Sequence, residues 1–302
     1  MSDMRALLVV LALQLVLGVA FVVLIATDNL PLGGEEGDAG AAQPVPPPAV
    51  DHFDARAAYE SVRRQVALGP RPAGSPASRR LAERIRRALP RGRFQAVPGG
   101  LRNVVGRIPG RNRRRTVVIG AHYDTKDIPG FVGANDGAAG VAVLTELARA
   151  VRPRRLRSSL VLIAFDGEES PAGTPDEDFE VRGLRGSRVA APRYRGARAM
   201  ILLDFVGERG LRIPREQLSD SALWRRLRSA AKRAGVAEVF PPRTQSAIAD
   251  DHLPFLRAAV PSIDLIDFDY GCFHRRCDDL SQVSARSLDA AGESVLGLLR
   301  TL

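Results

Sequence analysis

The chain is poor in the residues on which nucleic-acid binding depends. It has 302 residues with one tryptophan and an aromatic fraction of 5%, and its net charge of +10 comes from arginine, since Lys126 and Lys232 are its lysines. Proteins that bind single strands interleave basic residues with stacking aromatic side chains. No basic run in this chain has that pattern, so we predict no nucleic-acid partner. We attribute the arginine excess to a general compositional bias. Attraction to an anionic membrane surface is a better alternative explanation than nucleic-acid binding.

Two common functional motifs are also missing. No G-x-S-x-G is present, so the chain lacks the nucleophile elbow of a serine hydrolase. The glycine-rich segment 133–140 is neither G-x-G-x-x-G nor a Walker loop, and no lysine follows it. These absences argue against a serine hydrolase and against a phosphate-binding loop.

Cysteine is scarce as well, and Cys272 and Cys277 are the two in the chain. In an oxidising compartment we expect them to close a short disulfide loop around His274. Two thiolate metal ligands and two free thiols are the alternatives that the spacing leaves open.

The N-terminus carries a long apolar run. Residues 6–26 contain no charge, and this length suits a membrane-spanning helix better than the shorter apolar region of a cleaved signal peptide. Arg5 precedes the run, while Asp28, Glu35 and Glu36 follow it. We therefore predict that residues 1–28 form a signal anchor and that the chain is a single-pass protein of the cell membrane. The remaining residues then lie outside the cytoplasm. If the segment is cleaved, the protein is secreted instead.

The remainder divides into a linker and one large domain. Residues 29–50 are rich in Pro, Gly and Ala without apolar periodicity, which indicates a flexible tether. Residues 51–302 alternate short apolar runs with segments of helical spacing. This alternation predicts a three-layer α/β/α sandwich with a mostly parallel mixed sheet, whose functional site lies at the carboxyl ends of the strands.

Two adjacent acids, Glu168 and Glu169, follow the predicted strand 159–165. Charge at the tip of a buried strand is costly for a fold. We therefore favour a metal-binding or acid/base role for this pair over a solvated acidic turn.

Other polar residues end the neighbouring apolar runs. His122 and Asp124 follow the predicted strand 116–121, where Asp124 can hold the imidazole of His122 by a hydrogen bond while His122 binds metal. Asp136 lies in a tight Gly/Ala bend that suits a bridging ligand. Asp204 lies in the predicted strand 200–205, and His274 comes after the last predicted strand.

Together these nitrogen and oxygen donors suit zinc. The predicted ligands are His122, Asp136, Glu169, Asp204 and His274. Two zinc ions bridged by Asp136 are stereochemically reasonable. Glu168 is then free to act as a general base or acid.

The residues resemble the co-catalytic zinc exopeptidases of metallopeptidase family 28, from about Asn103 to Leu302. Within that superfamily, the segments Phe165-Asp-Gly-Glu-Glu169, His122-Tyr-Asp-Thr-Lys126 and Asp250-Asp-His-Leu-Pro-Phe255 look like those of the glutaminyl-peptide cyclotransferases. The resemblance implies an enzyme that acts on the N-termini of peptides or proteins. An aminopeptidase of the same family, and an exported binding module without turnover, are the alternatives.

The two enzymatic branches imply different metal contents. An aminopeptidase implies two zinc ions, whereas a cyclotransferase implies one, held by Asp136, Glu169 and His274. In the cyclotransferase branch Glu168, Asp204 and Asp250 form an acidic catalytic relay. Phe273 is then the substrate-binding residue at the position where the animal enzymes have tryptophan.

Other conspicuous residues receive structural interpretations. Trp224 lies in an amphipathic segment and is predicted to pack, and His252 is predicted to form hydrogen bonds rather than to bind metal. His52 is expected to be exposed. For Asp278, orientation of the loop that bears His274 and a simple turn role remain equal alternatives.

Overall fold

A computed structural model describes residues 44–302, which fold around a six-stranded sheet. The strands of the domain, in chain order, are β1 Arg93–Val97, β2 Leu101–Ile108, β3 Asn112–His122, β4 Ser158–Phe165, β5 Ala199–Leu203, β6 Arg215–Glu216, β7 Thr244–Gln245 and β8 Ser262–Leu265. Strands β6 and β7 form a separate two-stranded pair. The sequence did not predict β1, β6 or β7.

Helices occupy the segments between the strands. They are α1 Ala55–Val66, α2 Pro76–Ala88, α3 Gly140–Ala150, α4 Phe179–Arg182, α5 Arg185–Ala190, α6 Ser221–Arg233, α7 His252–Arg257 and α8 Ala285–Leu299. Ser75 caps α2 by accepting from the backbone N–H of Ser78, as its position predicts.

The large sheet has the strand order β1-β2-β4-β3-β5-β8. Strands β3, β4, β5 and β8 pair in parallel, whereas β1 and β2 are antiparallel additions at one side. This is the mostly parallel mixed sheet that the sequence predicts. The parallel strands direct their carboxyl ends to one edge of the sheet.

Apolar side chains on both faces of the sheet contact helices. In β3, Val117 and Ile119 belong to a large cluster with α1, α3, α6 and α8, whereas Val118 belongs to a smaller cluster with α5 and α7. All of these side chains are fully buried. Two helical layers therefore cover the sheet, and the three-layer prediction is confirmed.

Packing of the domain begins earlier than the predicted linker boundary. Val45 is buried, and the N–H of Ala49 donates to the carbonyl of Ala234. Residues 44–50, which composition assigns to the tether, thus pack on the domain. The buried side chain of Val45 provides the apolar contact, and the Pro- and Ala-rich composition of the segment does not predict it. The predicted anchor in residues 1–28 and the linker up to residue 43 lie outside the described residues.

Within residues 44–302, no helix combines the length and apolarity needed to cross a bilayer. Cys272 and Cys277 form the expected disulfide. Trp224 is buried against Phe240, which agrees with its predicted packing role.

Close contact between α3 and β5 positions the carboxyl end of β5. A Cβ atom at Gly140 would lie 2.2 Å from the carbonyl oxygen of Leu203, whereas a Cβ at Gly271 would meet nothing within 4 Å. We predict that Gly140→Ala lowers the free energy of unfolding by ~2 kcal/mol, measured by urea denaturation of the domain. Gly271→Ala is the control and should change it by less than about 0.5 kcal/mol. An unchanged urea midpoint for G140A would contradict this packing.

Candidate metal centre and active site

The polar residues that follow the parallel strands lie together at the carboxyl edge of the sheet. His122 is the last residue of β3, Glu169 follows β4, and Asp204 follows β5. The described residues contain two groups whose donor atoms are close enough to hold a metal ion. The groups are His122 with Asp136 and Asp204, and Asp136 with Glu169 and His274.

Asp136 belongs to both groups and lies between two histidines. Its Oδ1 is 3.2 Å from Nε2 of His122, and its Oδ2 is 3.5 Å from Nε2 of His274. The Nε2 of His274 is also 3.3 Å from Oε1 of Glu169, and that of His122 is 3.3 Å from Oδ1 of Asp204. The carboxylate of Asp136 therefore has the position that a bridging ligand requires.

Several potential metal-ligand atoms of this cluster are buried and accept no hydrogen bond from the described residues. They include Oδ2 of Asp136 and Oε1 of Glu169. Buried polar atoms without a partner are rare and call for an unrecorded ligand or water. Because histidine nitrogen and carboxylate oxygen are common metal donors, the residues fit a metal ion.

The cluster also concentrates negative charge away from water. Burial acts to lower the pKa of His122, but the charge of Asp204 and the hydrogen bond with Asp136 raise it well above its usual value. Burial raises the pKa of Asp204 to about 7, against the opposing effect of His122. These carboxylates thus favour positive charge beside them, which a divalent cation provides.

Asp136 is positioned by an irregular turn and by a second carboxylate. It lies in the kinked turn Ala134–Ala139, where its own φ of −77° and ψ of 104° are not helical and Gly137 has a φ of 81°. A Cβ at Gly137 would lie 3.0 Å from the carbonyl oxygen of Asp124, so glycine meets both requirements. The carboxylate of Asp278 accepts the N–H groups of Asn135 and Asp136 at 2.8 and 3.0 Å. Asp278 therefore orients the bridging residue, a role that neither sequence interpretation included.

Asp124 does not hold His122 as the sequence predicts. Its Oδ1 is 3.9 Å from Nδ1 of His122, which is too long for a hydrogen bond. The carboxylate instead accepts three backbone N–H groups, from Gly167, Glu168 and Glu169, at 3.0–3.3 Å. The chain turns at Gly167 after β4 and brings these N–H groups onto Asp124, so Asp124 fixes the acidic pair rather than the imidazole.

The two acids of that pair have different electrostatic surroundings. Burial, reinforced by the charge of Glu169, raises the pKa of Glu168 well above its usual value. Burial also acts on Glu169, but the close contact with His274 and the charge of its imidazole outweigh burial and lower the pKa of Glu169. Lys126 contributes in the same direction, with its Nζ 3.1 Å from Oε2 of Glu169. Glu169 is thus suited to ligation and Glu168 to proton transfer.

A cavity of about 370 Å³ opens onto these residues. Its lining includes Glu168 and Asp204 together with Asp250, the three residues of the predicted relay. The charge of Asp250 contributes to raising the pKa of both others. The structure therefore brings the three acids to one cavity.

Aromatic side chains form one wall of this cavity. The ring of Phe273 stacks on His274, with centroids 3.9 Å apart, and lies 5.7 Å from the ring of Phe205. Phe268 and Phe273 are among the exposed large apolar residues of the domain. Phe273 thus lies where the predicted substrate-binding residue should be.

The histidines outside the site lie apart from the metal-type groups, but the predicted hydrogen bonds of His252 are not formed among the described residues. His252 is fully buried with its ring nitrogens 3.3 Å from Glu216 and 3.5 Å from Asp264. His52 is partly exposed beside Glu293. Neither belongs to a metal-type group within residues 44–302.

Sequence reasoning missed Arg71, which supports the turn that carries Asp136. Arg71 is fully buried, and its guanidinium donates to the carbonyls of Val132 and Gly133 at 2.8 and 3.2 Å. Burial lowers its pKa to about 10, although the charges of Asp136 and Asp278 oppose that change. In the sequence, Arg71 is one arginine among many between two prolines, and no pattern distinguishes it.

The protein is an α/β/α sandwich with histidine, aspartate and glutamate side chains at the carboxyl edge of its sheet. These features place it in the class of exopeptidase-like α/β proteins. Within that class, the chain belongs to peptidase family M28, whose profile matches residues 103–299.

Proteins similar in sequence to this chain are named glutaminyl-peptide cyclotransferase. The glutaminyl-peptide cyclotransferase of Drosophila melanogaster is 29% identical over 200 residues, which cover 57% of this chain and 56% of that protein. The chain thus spans about half the length of the curated relatives it matches.

Solved structures extend the match to the whole domain. A glutaminyl cyclase from an Acidobacteriales bacterium superposes with a TM-score of 0.72 at 31% identity, covering 82% of this chain and 94% of its own. A leucine aminopeptidase precursor from Bacteroides thetaiotaomicron gives a TM-score of 0.74 at 27% identity, covering 84% and 99%. Those chains consist almost entirely of the matched part, and residues 44–302 of this chain form one compact unit.

Arg71 gives a test of the support beneath the metal ligands. Arg71→Met leaves the carbonyls of Val132 and Gly133 unpaired and removes a buried positive charge. We therefore predict that the free energy of unfolding falls by ~3 kcal/mol. We also predict a 10- to 100-fold weaker affinity for zinc, roughly the effect of losing a residue that orients metal ligands. Urea denaturation and zinc titration measure the two effects. Arg79→Met, at an exposed position on α2, is the control. Equal zinc affinity in R71M and R79M would refute the role of Arg71.

Proposed function

We propose that this domain is a zinc-dependent glutaminyl-peptide cyclotransferase that converts N-terminal glutamine to pyroglutamate and releases ammonia. The observation that carries the proposal is the position of Glu168, which is buried beside the metal donors, belongs to neither donor group and has a raised pKa. The names of the similar curated proteins support this choice of reaction.

Asp136, Glu169 and His274 are the proposed ligands of a single zinc ion. When bound, zinc polarises the γ-carbonyl of the substrate glutamine. Lys126 pairs with one carboxylate oxygen of Glu169 and leaves the other, Oε1, directed at His274. We infer that Lys126 holds Glu169 to a single ligating oxygen.

The chemistry of the protein itself is a proton transfer by Glu168. Its carboxylate accepts a proton from the α-amine of the substrate, whose nitrogen attacks the γ-carbonyl carbon and closes a five-membered ring. Glu168 then donates this proton to the γ-amide nitrogen, and the carbon–nitrogen bond breaks as ammonia leaves. A carboxyl group with a raised pKa suits both halves of this transfer. The charges of Asp250 and Asp251 help to maintain that pKa.

The cavity suits a short amino-terminal side chain. Phe273, Phe205 and Ile248 provide apolar contacts for the methylene groups of glutamine and limit the access of water. Asp176 lies in the lining opposite them and can attract the cationic amino terminus. The next residues of the peptide would extend along the exposed side of Phe273 and Phe268.

Aminopeptidase activity is the second candidate, because both donor groups are complete. In that reaction His122, Asp136 and Asp204 would hold a second zinc ion, and Glu168 would remove a proton from water. The similarity to a leucine aminopeptidase precursor supports this alternative.

We further propose that the enzyme is a single-pass membrane protein whose catalytic domain lies outside the cytoplasm. Residues 1–28 would form the anchor, residues 29–43 the connection, and residues 44–302 the catalytic part. The uncharged run of residues 6–26 supports this arrangement. The disulfide between Cys272 and Cys277 does so too, because disulfides persist in oxidising compartments.

The products of two peptides distinguish the candidate reactions. We predict that residues 44–302, loaded with zinc, remove ammonia from a peptide that begins with glutamine and leave its leucine-initiated counterpart intact, as followed by product mass. Release of free leucine would instead establish the aminopeptidase. A zinc content of one ion per chain accompanies the first outcome and two ions the second.

Substitution of Glu168 tests the proton transfer. We predict that Glu168→Gln lowers kcat by about 1000-fold, because general acid–base catalysis contributes roughly this factor, while zinc content remains unchanged. Glu177→Gln, which alters an exposed acid of the neighbouring loop, is the matched control. Turnover of E168Q at the rate of E177Q would exclude Glu168 as the proton carrier.

A further inference from the structure

Arginines collect at the edge of the sheet opposite the candidate active site. Three arginine-rich segments lead into the parallel strands at this amino edge. They are Arg111-Asn-Arg-Arg-Arg115 at the start of β3, Arg152-Pro-Arg-Arg-Leu-Arg157 before β4, and Arg193-Tyr-Arg-Gly-Ala-Arg198 before β5. We call the exposed arginines of these segments, with Arg300, the arginine face. All of its arginines are exposed.

Backbone hydrogen bonds join the segments into one surface. The N–H of Arg111 donates to the carbonyl of Leu156 at 3.0 Å, and the N–H of Arg198 donates to the carbonyl of Thr116 at 2.8 Å. Near Arg300, the carbonyl of Leu302 accepts a hydrogen bond from Ser158 at 2.8 Å. The arginine face is therefore continuous and rigidly supported by the sheet.

The charge of this face is not neutralised by the protein. The three segments and residues 299–302 contain no aspartate or glutamate. Among the ion pairs and side-chain hydrogen bonds of residues 44–302, none uses an arginine of the face. Asp220, next to the start of β8, is occupied in capping α6 through the N–H of Leu223. These guanidinium groups are thus free to bind phosphate oxygens.

Acidic residues lie at the other end of the domain. The carboxyl edge bears the buried acids of the site and the exposed Asp176, Glu177 and Asp178 of the loop after β4. Exposed arginines also occur elsewhere, among them Arg275 and Arg276 near His274, but the arginines of the amino edge have no acid within their segments. A separation of charge along the strands gives the domain one end suited to anionic surfaces and another suited to cationic amino termini.

The face has the properties of a lipid-binding surface rather than of a nucleic-acid site. Tyr194, the aromatic residue within its segments, packs against the smaller core cluster, so its ring is not available for base stacking. The Cys272–Cys277 disulfide fits an oxidising compartment, where nucleic acid is not a resident partner and the outer surface of a membrane is.

The N-terminal part of the domain also reaches this face. His52 lines a surface depression together with Arg152, Arg155 and Arg300. The segment before α1 therefore passes beside the arginines.

We propose that the arginine face docks the catalytic domain on a bilayer surface that contains anionic phospholipid. Docking at the amino edge of the sheet directs the carboxyl edge, with its cavity, away from the lipid and toward peptides in solution. This orientation does not depend on which of the two reactions the site performs.

Vesicle binding by residues 44–302 tests the proposal without the apolar N-terminal run. We expect binding to phosphatidylglycerol vesicles and not to phosphatidylcholine vesicles, with a loss at high salt. A triple variant with Arg113, Arg114 and Arg115 changed to glutamine should lower the partition coefficient on the order of 100-fold, since each basic residue near an anionic surface contributes ~1 kcal/mol, or about fivefold.

A second triple variant controls for net charge. Arg182, Arg243 and Arg286 are exposed on other parts of the domain, and changing them to glutamine should alter the partition coefficient by less than about twofold, because charges farther than a Debye length from the lipid are screened. Thermal unfolding and turnover should match the wild type in both variants, since neither set lies in the site.

Three results would overturn the proposal. They are equal losses in the two triple variants, equal binding to both kinds of vesicle, and tighter binding of the domain to duplex DNA than to phosphatidylglycerol. If the first triple variant unfolds, the substitutions Arg152→Gln, Arg154→Gln and Arg155→Gln in the loop before β4 provide the same comparison.

Discussion

The structure of the site depends on the cost of placing several carboxylates in one buried cluster. Asp136 is central, because it faces both His122 and His274 and is held by N–H donation to Asp278. Repulsion among these acids must be balanced by positive charge. The protein supplies some of it through Arg71 beneath the turn and Lys126 beside Glu169. The remaining deficit is what makes a divalent cation the natural occupant of the cluster.

The candidate ligands His122, Glu169 and Asp204 could be predicted from sequence because each lies at the end of an apolar run that the sheet must bury. The parallel arrangement then brings the ends of β3, β4 and β5 to one edge, so residues distant in sequence become neighbours. The role of Asp124 could not be predicted in this way. Its partners are the backbone N–H groups of the turn at Gly167, and alternation along a strand contains no information about the direction of a neighbouring backbone. Arg71 was missed for the same reason, since its partners are carbonyl oxygens.

The fold was predicted where apolar periodicity is strong and missed where it is weak. Strand β1 is half exposed and lies at the outer side of the sheet, while β6 and β7 are two residues long. Such strands owe their conformation to pairing with neighbours rather than to their own pattern. The segment before Asp51 shows the same limit, because one buried side chain, Val45, attaches a Pro-rich stretch that composition assigns to a tether.

The two candidate reactions use one arrangement of donors, so the choice between them falls to the cavity. Glu168 takes a proton from whichever group lies beside it, an amine or a water molecule. The apolar wall formed by Phe273, Phe205 and Ile248 favours a folded glutamine side chain over ordered water. The overall charge of +10 would repel cationic amino termini if it were spread evenly. Because the arginine face lies at the opposite end of the domain, the exposed acids Asp176–Asp178 can attract a substrate amine toward the edge where the cavity opens.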